Sequence, residues 1–314
     1  MTGPGKRPEA IIEQLRSSAD SYRQAAEKEG QVWGGMFSDP DFLEIRRDEQ
    51  AAAAELGLNR DKTLNLRTAL ARAGLEPRTG LSLGCGSGRA ERTFLGQGIC
   101  ERFTGIDVAQ AAIDEARAEA QRGGLPLEYL CQDLNRLDLG GRSFDLVVCQ
   151  TILHHVLELE HLLDEIERSL SPDGVFYVHD YIGETQFQFS EERLRWFNAV
   201  MQALPEDLRA SRLRKVVPAE IRRPEPGNLV SPFEAIRSGE IRALLLERFE
   251  VVELQECTTI LDRVVPTGSR RAYLQDAHAR AVFELLFLLD RALLEGGLLA
   301  PVEGRYLLRR KASR

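Results

Sequence analysis

Histidine is the side chain whose ordinary pKa lies nearest neutrality, so two in succession are candidates for moving a proton. His154 and His155 stand so, directly after the apolar run 144–153. Three glycines alternate with other residues in Leu83-Gly84-Cys85-Gly86-Ser87-Gly88. Glycine lets a backbone turn sharply and lie against a ligand. A helix opening after such a loop aims free N–H groups and a positive dipole end at the same place, which suits a carboxylate or phosphate. Asp107 closes the run 102–107, 19 residues after Gly88. A carboxylate about 20 residues beyond a glycine loop is placed to take ribose hydroxyls. Asp133 follows a third run, 127–131, and His179-Asp180-Tyr181 ends another. Asp180 or Tyr181 is placed to orient a substrate, though each could equally cap a turn or close a wall.

For these residues to meet, each run must be a strand and the strand ends must share one edge. The sequence reads that way. Strands at 81–83, 102–107, 127–131, 144–149 and 175–179 alternate with helices at 89–95, 109–122 and 159–170. That rhythm argues for a parallel sheet with right-handed crossovers, helices on both faces, and ligands beyond the carboxyl ends of the strands. Ser171-Pro172-Asp173-Gly174 has the chemistry of a type I turn before the fifth strand.

The set resembles the class I S-adenosylmethionine-dependent methyltransferases. It is carried by Gly84, Gly86 and Gly88, by Asp107 and Asp133, and by the run Phe144 to Val156 with its Leu-His-His. The resemblance covers residues 64–182 and, more loosely, the last two strands. It implies an α/β fold, a doubly wound, mostly parallel seven-stranded sheet whose last strand, 305–310, returns antiparallel. It implies S-adenosylmethionine as cofactor, with the glycine loop on the methionine end, Asp107 and Val108 at the ribose, Asp133 and Leu134 at the adenine, and Gln150 near the sulfonium. For His154 and His155 it leaves two roles open: catalysis by proton transfer, with His154 closer to the segment that supplies a base in some small-molecule O-methyltransferases, or a pair that only shapes the site. One position departs from the family: Ser82 stands where an acid usually helps hold the cofactor's amino group. The expected activity is methyl transfer to a small molecule, with oxygen slightly favoured over nitrogen or carbon and a sugar or secondary metabolite as acceptor. Two other classes stay open. A nicotinamide-dependent oxidoreductase wants a third glycine where Arg89 stands; a non-catalytic ligand- or partner-binding relative is what Ser82 favours.

The remainder of the chain divides as an N-terminal helical cap (1–75), the cofactor-binding core (76–182), a lid or substrate insertion (183–239) and a completion of the sheet (240–314). Within the cap a helix is expected at 7–29, then a glycine-broken flap at 30–37 offering Trp33 and Phe37 to the site, then helices at 41–56 and 62–73. In the insertion Ser190 caps a helix to about Leu204, and Ser231-Pro232-Phe233-Glu234 reads as a capping box. The alternative for the insertion is a dimerisation arm, so a homodimer is open. The helix 272–295, apolar around most of its girth, must be buried. The basic cluster Arg209, Arg212, Arg214, Lys215, Arg222 and Arg223 is mixed with acids and reads as a salt-bridged face.

Composition narrows the classes further. The 314 residues carry a net charge of −8, which argues against nucleic acid as the main partner. No long uncharged apolar run or secretory leader is visible, so no membrane span is expected and the protein reads as cytoplasmic. Arginine greatly outnumbers lysine, which fits a bacterial gene rich in GC. The five cysteines are irregularly spaced, consistent with buried thiols in a reducing compartment, and no metal is expected.

Overall fold

A computed structural model describes residues 7–213 and 215–311. Seven strands form one sheet: β1 (Thr79–Leu83), β2 (Arg102–Asp107), β3 (Leu127–Cys131), β4 (Phe144–Gln150), β5 (Leu170–Tyr181), β6 (Phe249–Cys257) and β7 (Glu303–Arg310). Their order is β3-β2-β1-β4-β5-β7-β6. The first five run parallel, and β7 enters antiparallel between β5 and β6. The expected doubly wound, seven-stranded sheet is present.

Burial follows from strand pleating. Val147, Cys149, Phe176, Val178, Tyr306 and Leu308 point to one face, under α7 (Leu159–Ser169) and α10 (Ser238–Arg248). Their neighbours Leu146, Val148, Val175, Tyr177 and Leu307 point to the other, under α4 (Leu66–Ala73) and α5 (Arg89–Gly96). Helix α6 (Gln110–Gly123) packs Ile113, Ala116 and Ala120 on Tyr129 of β3. The registers Leu83↔Ile106, Leu83↔Cys149 and Gln150↔His179 bring the strand ends to one level. Asp107, Gly84 and Thr151 therefore emerge side by side.

The N-terminal segment differs from expectation. Helix α1 (Pro8–Ser17) ends at Ser18, whose Oγ accepts from Ser21 N at 3.2 Å and starts α2 (Ala19–Ser38). The glycine-broken flap is thus helix. A Cβ on Gly30 would sit 3.4 Å from Val108 O, and one on Gly34 3.8 Å from Ala111 Cβ. These glycines thin one face of α2 so that it lies close on the start of α6, rather than breaking it. The Phe37 side chain lies outside the described residues. Helix α3 (Pro40–Leu56) matches its reading, while α4 begins at Leu66, capped by Asn65, not at 62.

A second core is helical. Helix α8 (Glu191–Ala203), the short α9 (Glu206–Arg209) and α11 (Leu261–Val264), and α12 (Ala277–Glu295) meet α3 around Phe197, Leu261, Tyr273 and Phe283. Helix α12 buries one side only, leaving Leu285 and Leu288 exposed. The buried side carries Leu286, Phe287, Asp290 and Leu293 into this small core; the expectation is burial in the core or against another subunit, and the core covers this one side. Ser171–Gly174 loops out near the start of β5: four residues oppose the single Asp145 between the pairs Phe144↔Leu170 and Leu146↔Val175, and a Cβ on Gly174 would lie 2.9 Å from Ser171 N. Among the described residues no helix is long and apolar enough to cross a membrane.

Candidate active site

A cavity of about 230 Å³ opens where β1, β2, β3 and β4 end, closed from above by α2. At one end lies the glycine loop. Gly84 has φ +71°, and a Cβ there would fall 2.4 Å from Ile152 Cγ1. Both facts require glycine. Asp107 braces the loop from β2: Oδ2 accepts from Gly86 N at 2.8 Å and Oδ1 from Ala109 N at 2.9 Å. Burial pushes its carboxyl up, against the pull of those amides. Gly88 starts α5 away from the cavity wall; its missing Cβ makes room for Tyr129, whose hydroxyl would lie 2.2 Å from it.

Val108, Leu134 and Gln150 line the same cavity, as does Asp133. The Asp133 carboxylate is already engaged, however. Tyr22 donates to its Oδ2 at 2.5 Å and Asn135 N to its Oδ1 at 2.9 Å. Arg46, from α3, also lines the cavity; burial and the neighbouring Arg89 pull its pKa down, and it has no ion-pair or hydrogen-bond partner among the described residues. Ser82 faces inward beneath the loop. Close by, Glu91 of α5 is fully buried, its carboxyl pushed up by that burial and drawn back by the Ser82 hydroxyl.

The two histidines occupy the other end. Thr151 holds φ +54°, in the left-handed region, where a non-glycine residue is strained and such strain clusters at functional sites. That turn leads into a single 3-10 turn, Leu153–His155. Asp180 fixes it from β5: its Oδ2 accepts from Ile152 N at 2.8 Å and Leu153 N at 2.7 Å, and its Oδ1 lies 2.5 Å from His154 Nδ1. Burial pulls the His154 pKa down, but the Asp180 carboxylate outweighs it and the net direction is upward. Asp180 moves oppositely: burial raises its pKa, and His154 with the backbone amides holds it below the usual range. Asp180 is enclosed behind His154, so it touches the imidazole and not the cavity. Tyr181 stands edge-on to His154 with ring centres 6.3 Å apart, and its hydroxyl turns to Glu184 O.

Glu29 of α2 stands beside His155, without the hydrogen bond that joins Asp180 to His154. Its Oε1 lies 3.0 Å from His155 Nδ1 and accepts from Trp33 Nε1 at 2.8 Å. Ser231 Oγ and Phe233 N also donate to this carboxylate, each at 3.1 Å. Burial pushes Glu29 up, and these partners bring it net below its ordinary value. The expected capping box at 231–234 is therefore not one. Ser231 and Phe233 bind Glu29, and α10 starts only at Ser238. The loop instead lays Glu234 over the histidines, held by Ile236 N donating to His154 O at 3.0 Å. The ring of Trp33 meets His155 edge-on at 5.1 Å.

Glu234 also lines a second cavity, of about 610 Å³, between the 183–237 segment and α11. Its walls include Phe187, Phe189, Met201, Ile221 and Val264, with the Arg263 guanidinium 3.9 Å over the Phe187 ring. Of the basic cluster, Arg212 pairs with Asp48, Arg222 with Glu220 and Arg223 with Glu191, while Arg214 lies outside the described residues. Glu29, Arg46, Asn135 and Glu234 were not singled out from sequence. Glu29, Arg46 and Glu234 belong to segments remote from the motifs and carry no spacing signal, whereas Asn135 directly follows Asp133 and Leu134.

Residues 81–178 match the profile of a family described as "Methyltransferase domain". A ubiquinone biosynthesis O-methyltransferase of Methylobacterium sp. (strain 4-46) is 33% identical over 108 residues, 33% of this chain and 43% of that protein. The protein of the same name from Coxiella burnetii (strain RSA 493 / Nine Mile phase I) is 28% identical over 97 residues, 31% of this chain and 41% of its own. The chain thus matches less than half the length of these curated relatives. Among solved structures, the plantazolicin methyltransferase BpumL in complex with SAH aligns over 96% of this chain and 99% of that one, at 15% identity and a TM-score of 0.44.

Proposed function

We propose, from the match of residues 81–178 to the methyltransferase-domain family, that the chain transfers a methyl group from S-adenosylmethionine to a hydroxyl of a small molecule. The observation that carries this reading is one cavity with the glycine loop and Asp107 at one end and the edges of His154 and His155 at the other. The residues fit the cofactor. Arg46 is an unpartnered cation beside the loop, suited to the methionine carboxylate, and Gly84 and Gly86 leave the loop bare for backbone contact. Asp107 and Val108 take the ribose; Leu134 and Asn135 the adenine. Asp133 joins them if Tyr22 shares its carboxylate. When bound, the sulfonium supplies an electrophilic methyl carbon.

The protein's own part is positioning, water exclusion and proton handling. Holding an oxygen in line and in contact is itself a large fraction of such catalysis. Helix α2 roofs the cavity with Trp33. Asp180 fixes the Nδ1 side of His154 and so turns Nε2 toward the acceptor, the arrangement by which a carboxylate sets a histidine tautomer. The acceptor's proton is relieved at this imidazole edge. We assign the acceptor itself to the larger cavity behind Glu234, whose aromatic and aliphatic walls favour an apolar or aromatic molecule, and residues 183–237 act as its lid. O-methylation, the activity printed in the curated relatives' names, supports a hydroxyl. Five free cysteines, four of them buried, support a reducing cytoplasm, and the acidic balance disfavours nucleic acid.

The test is calorimetric titration with S-adenosylmethionine and S-adenosylhomocysteine, with NADH as control. Micromolar binding of the sulfur ligands, abolished in Asp107→Ala, is expected. Binding of NADH instead, or of neither class, refutes the reading.

A further inference from the structure

The two imidazoles and Glu234 line one cavity and lie close to one another. His154 Nε2 lies 3.9 Å from Glu234 Oε1, and His155 Nε2 lies 3.8 Å from Glu234 Oε2. Those separations are too long for hydrogen bonds. They are close to what two ligands on one ion require: bonds of about 2.1 Å set at tetrahedral angles place donor atoms about 3.4 Å apart, and wider angles carry them past that. The ligand atoms of His154, His155 and Glu234 all fall within 4.8 Å of one another. The opposite ring nitrogen of His154 is taken by Asp180 at 2.5 Å, and Glu29 Oε1 stands 3.0 Å from His155 Nδ1 without hydrogen-bond geometry. The Asp180 contact is how ligating histidines are held, the outer carboxylate fixing the tautomer and raising the basicity of the nitrogen that binds. Both outer carboxylates are themselves pinned by backbone or side-chain donors, so neither is free to swing in between these ligands.

We propose that His154, His155 and Glu234 bind a divalent transition-metal cation between the two cavities. The charges agree. Three carboxylates, Glu29, Asp180 and Glu234, surround two imidazoles that as ligands are neutral, and a dication offsets most of that negative charge. Two imidazoles and one carboxylate suit zinc, iron(II), cobalt(II) or manganese(II), and leave coordination positions open. All three ligands line the cofactor cavity, and Glu234 lines the apolar cavity as well. This proposal deepens the methyltransferase reading and rests on it. An acceptor hydroxyl that ligates the ion ionises more readily. Its O–H bond breaks, the electron pair stays on oxygen, and the proton leaves to solvent. With the ion seated the histidines act as ligands, and the proton handling assigned above to the imidazole edge passes to the ion.

The test uses untagged protein freed of metal with a chelator and titrated with Co²⁺, whose visible absorption reports nitrogen ligation. One Co²⁺ per chain, a visible band, and its displacement by Zn²⁺ are expected. Glu234→Gln should abolish the band; Glu234 sits on a loop and its loss leaves the fold intact, which a thermal melt checks. Asp180→Asn and Glu29→Gln should weaken binding by about 10- to 100-fold, as outer carboxylates do. Absence of saturable binding at millimolar metal, or binding undiminished in Glu234→Gln, overturns the site. The same preparation is titrated with S-adenosylhomocysteine: cofactor bound and metal refused sinks the metal site alone, whereas cofactor refused sinks the reading beneath it.

Discussion

Replacing Asp180 with asparagine keeps the shape and removes one acceptor oxygen. In the wild type the two oxygens serve four groups: Ile152 N and Leu153 N on one, Tyr181 N at 2.8 Å and His154 Nδ1 on the other. An asparagine that keeps its oxygen toward Ile152 and Leu153 turns its amide on Tyr181 N and His154. The imidazole can answer by changing tautomer, but the Tyr181 amide is left without an acceptor. Turned the other way, two amides are orphaned. An unsatisfied buried donor costs about 1–3 kcal/mol. Losing one partner of a buried ion pair costs about 3–5 kcal/mol. Since the charge and the acceptor go together, the expected loss is about 3–5 kcal/mol in all, read as the difference in urea unfolding free energy at neutral pH. Nitrogen NMR should show the His154 proton move from Nδ1 to Nε2. Turnover, once an acceptor is found, should fall by about 10²- to 10⁴-fold, the usual worth of positioned proton transfer. A loss under about 1 kcal/mol with the proton still on Nδ1 would refute the clamp and the tautomer argument together.

Other consequences are simpler to read. Gly84→Ala and Gly98→Ala both place alanine at positive φ, +71° and +70°, but only the first meets a neighbour. Both should lose about 1–2 kcal/mol to left-handed strain, and Gly84→Ala alone should weaken S-adenosylhomocysteine binding in calorimetry, by about tenfold or more, since 1.4 kcal/mol of displaced loop suffices. The Arg237 guanidinium holds the Glu160 carboxyl at about 2, below its ordinary 4.5. A depressed acid stabilises above its unfolded pKa and loses that as pH falls. The stability gap between wild type and Glu160→Gln should therefore be full at neutral pH and close between 4.5 and about 2 in acid titrations of unfolding. Burial pushes the Cys100 and Cys257 thiols up to about 12. A disulfide reagent at neutral pH should label the native chain slowly and all five cysteines once it is unfolded.

Much of this was legible in the chain because the relevant signals are local. The strand ends, the glycine loop and Asp107 follow from runs of a few residues, while the antiparallel β7 is implied by the family resemblance alone. What escaped was set by distant partners. Gly30 and Gly34 read as breakers because their use, close contact with Val108 and Ala111, lies more than seventy residues away. Ser231 and Phe233 read as a helix cap because the carboxylate they hold, Glu29, is two hundred residues earlier. Asp180 was picked for the right place but for contact with substrate; only the register of β5 beside β4 shows it turned inward to the Ile152–His154 turn.

The position of β7 sets an order on assembly in the cell. It lies between β5 and β6 in the sheet but follows β6 in the chain by residues 258–302. While these emerge from a ribosome, β6 has no neighbour and β5 presents an open edge. At about 5–20 residues per second this lasts several seconds. Unpaired strand edges recruit other strands, so nascent chains of this protein should depend on a chaperone through that interval, and a stall anywhere before Glu303 should yield aggregate rather than a smaller folded core.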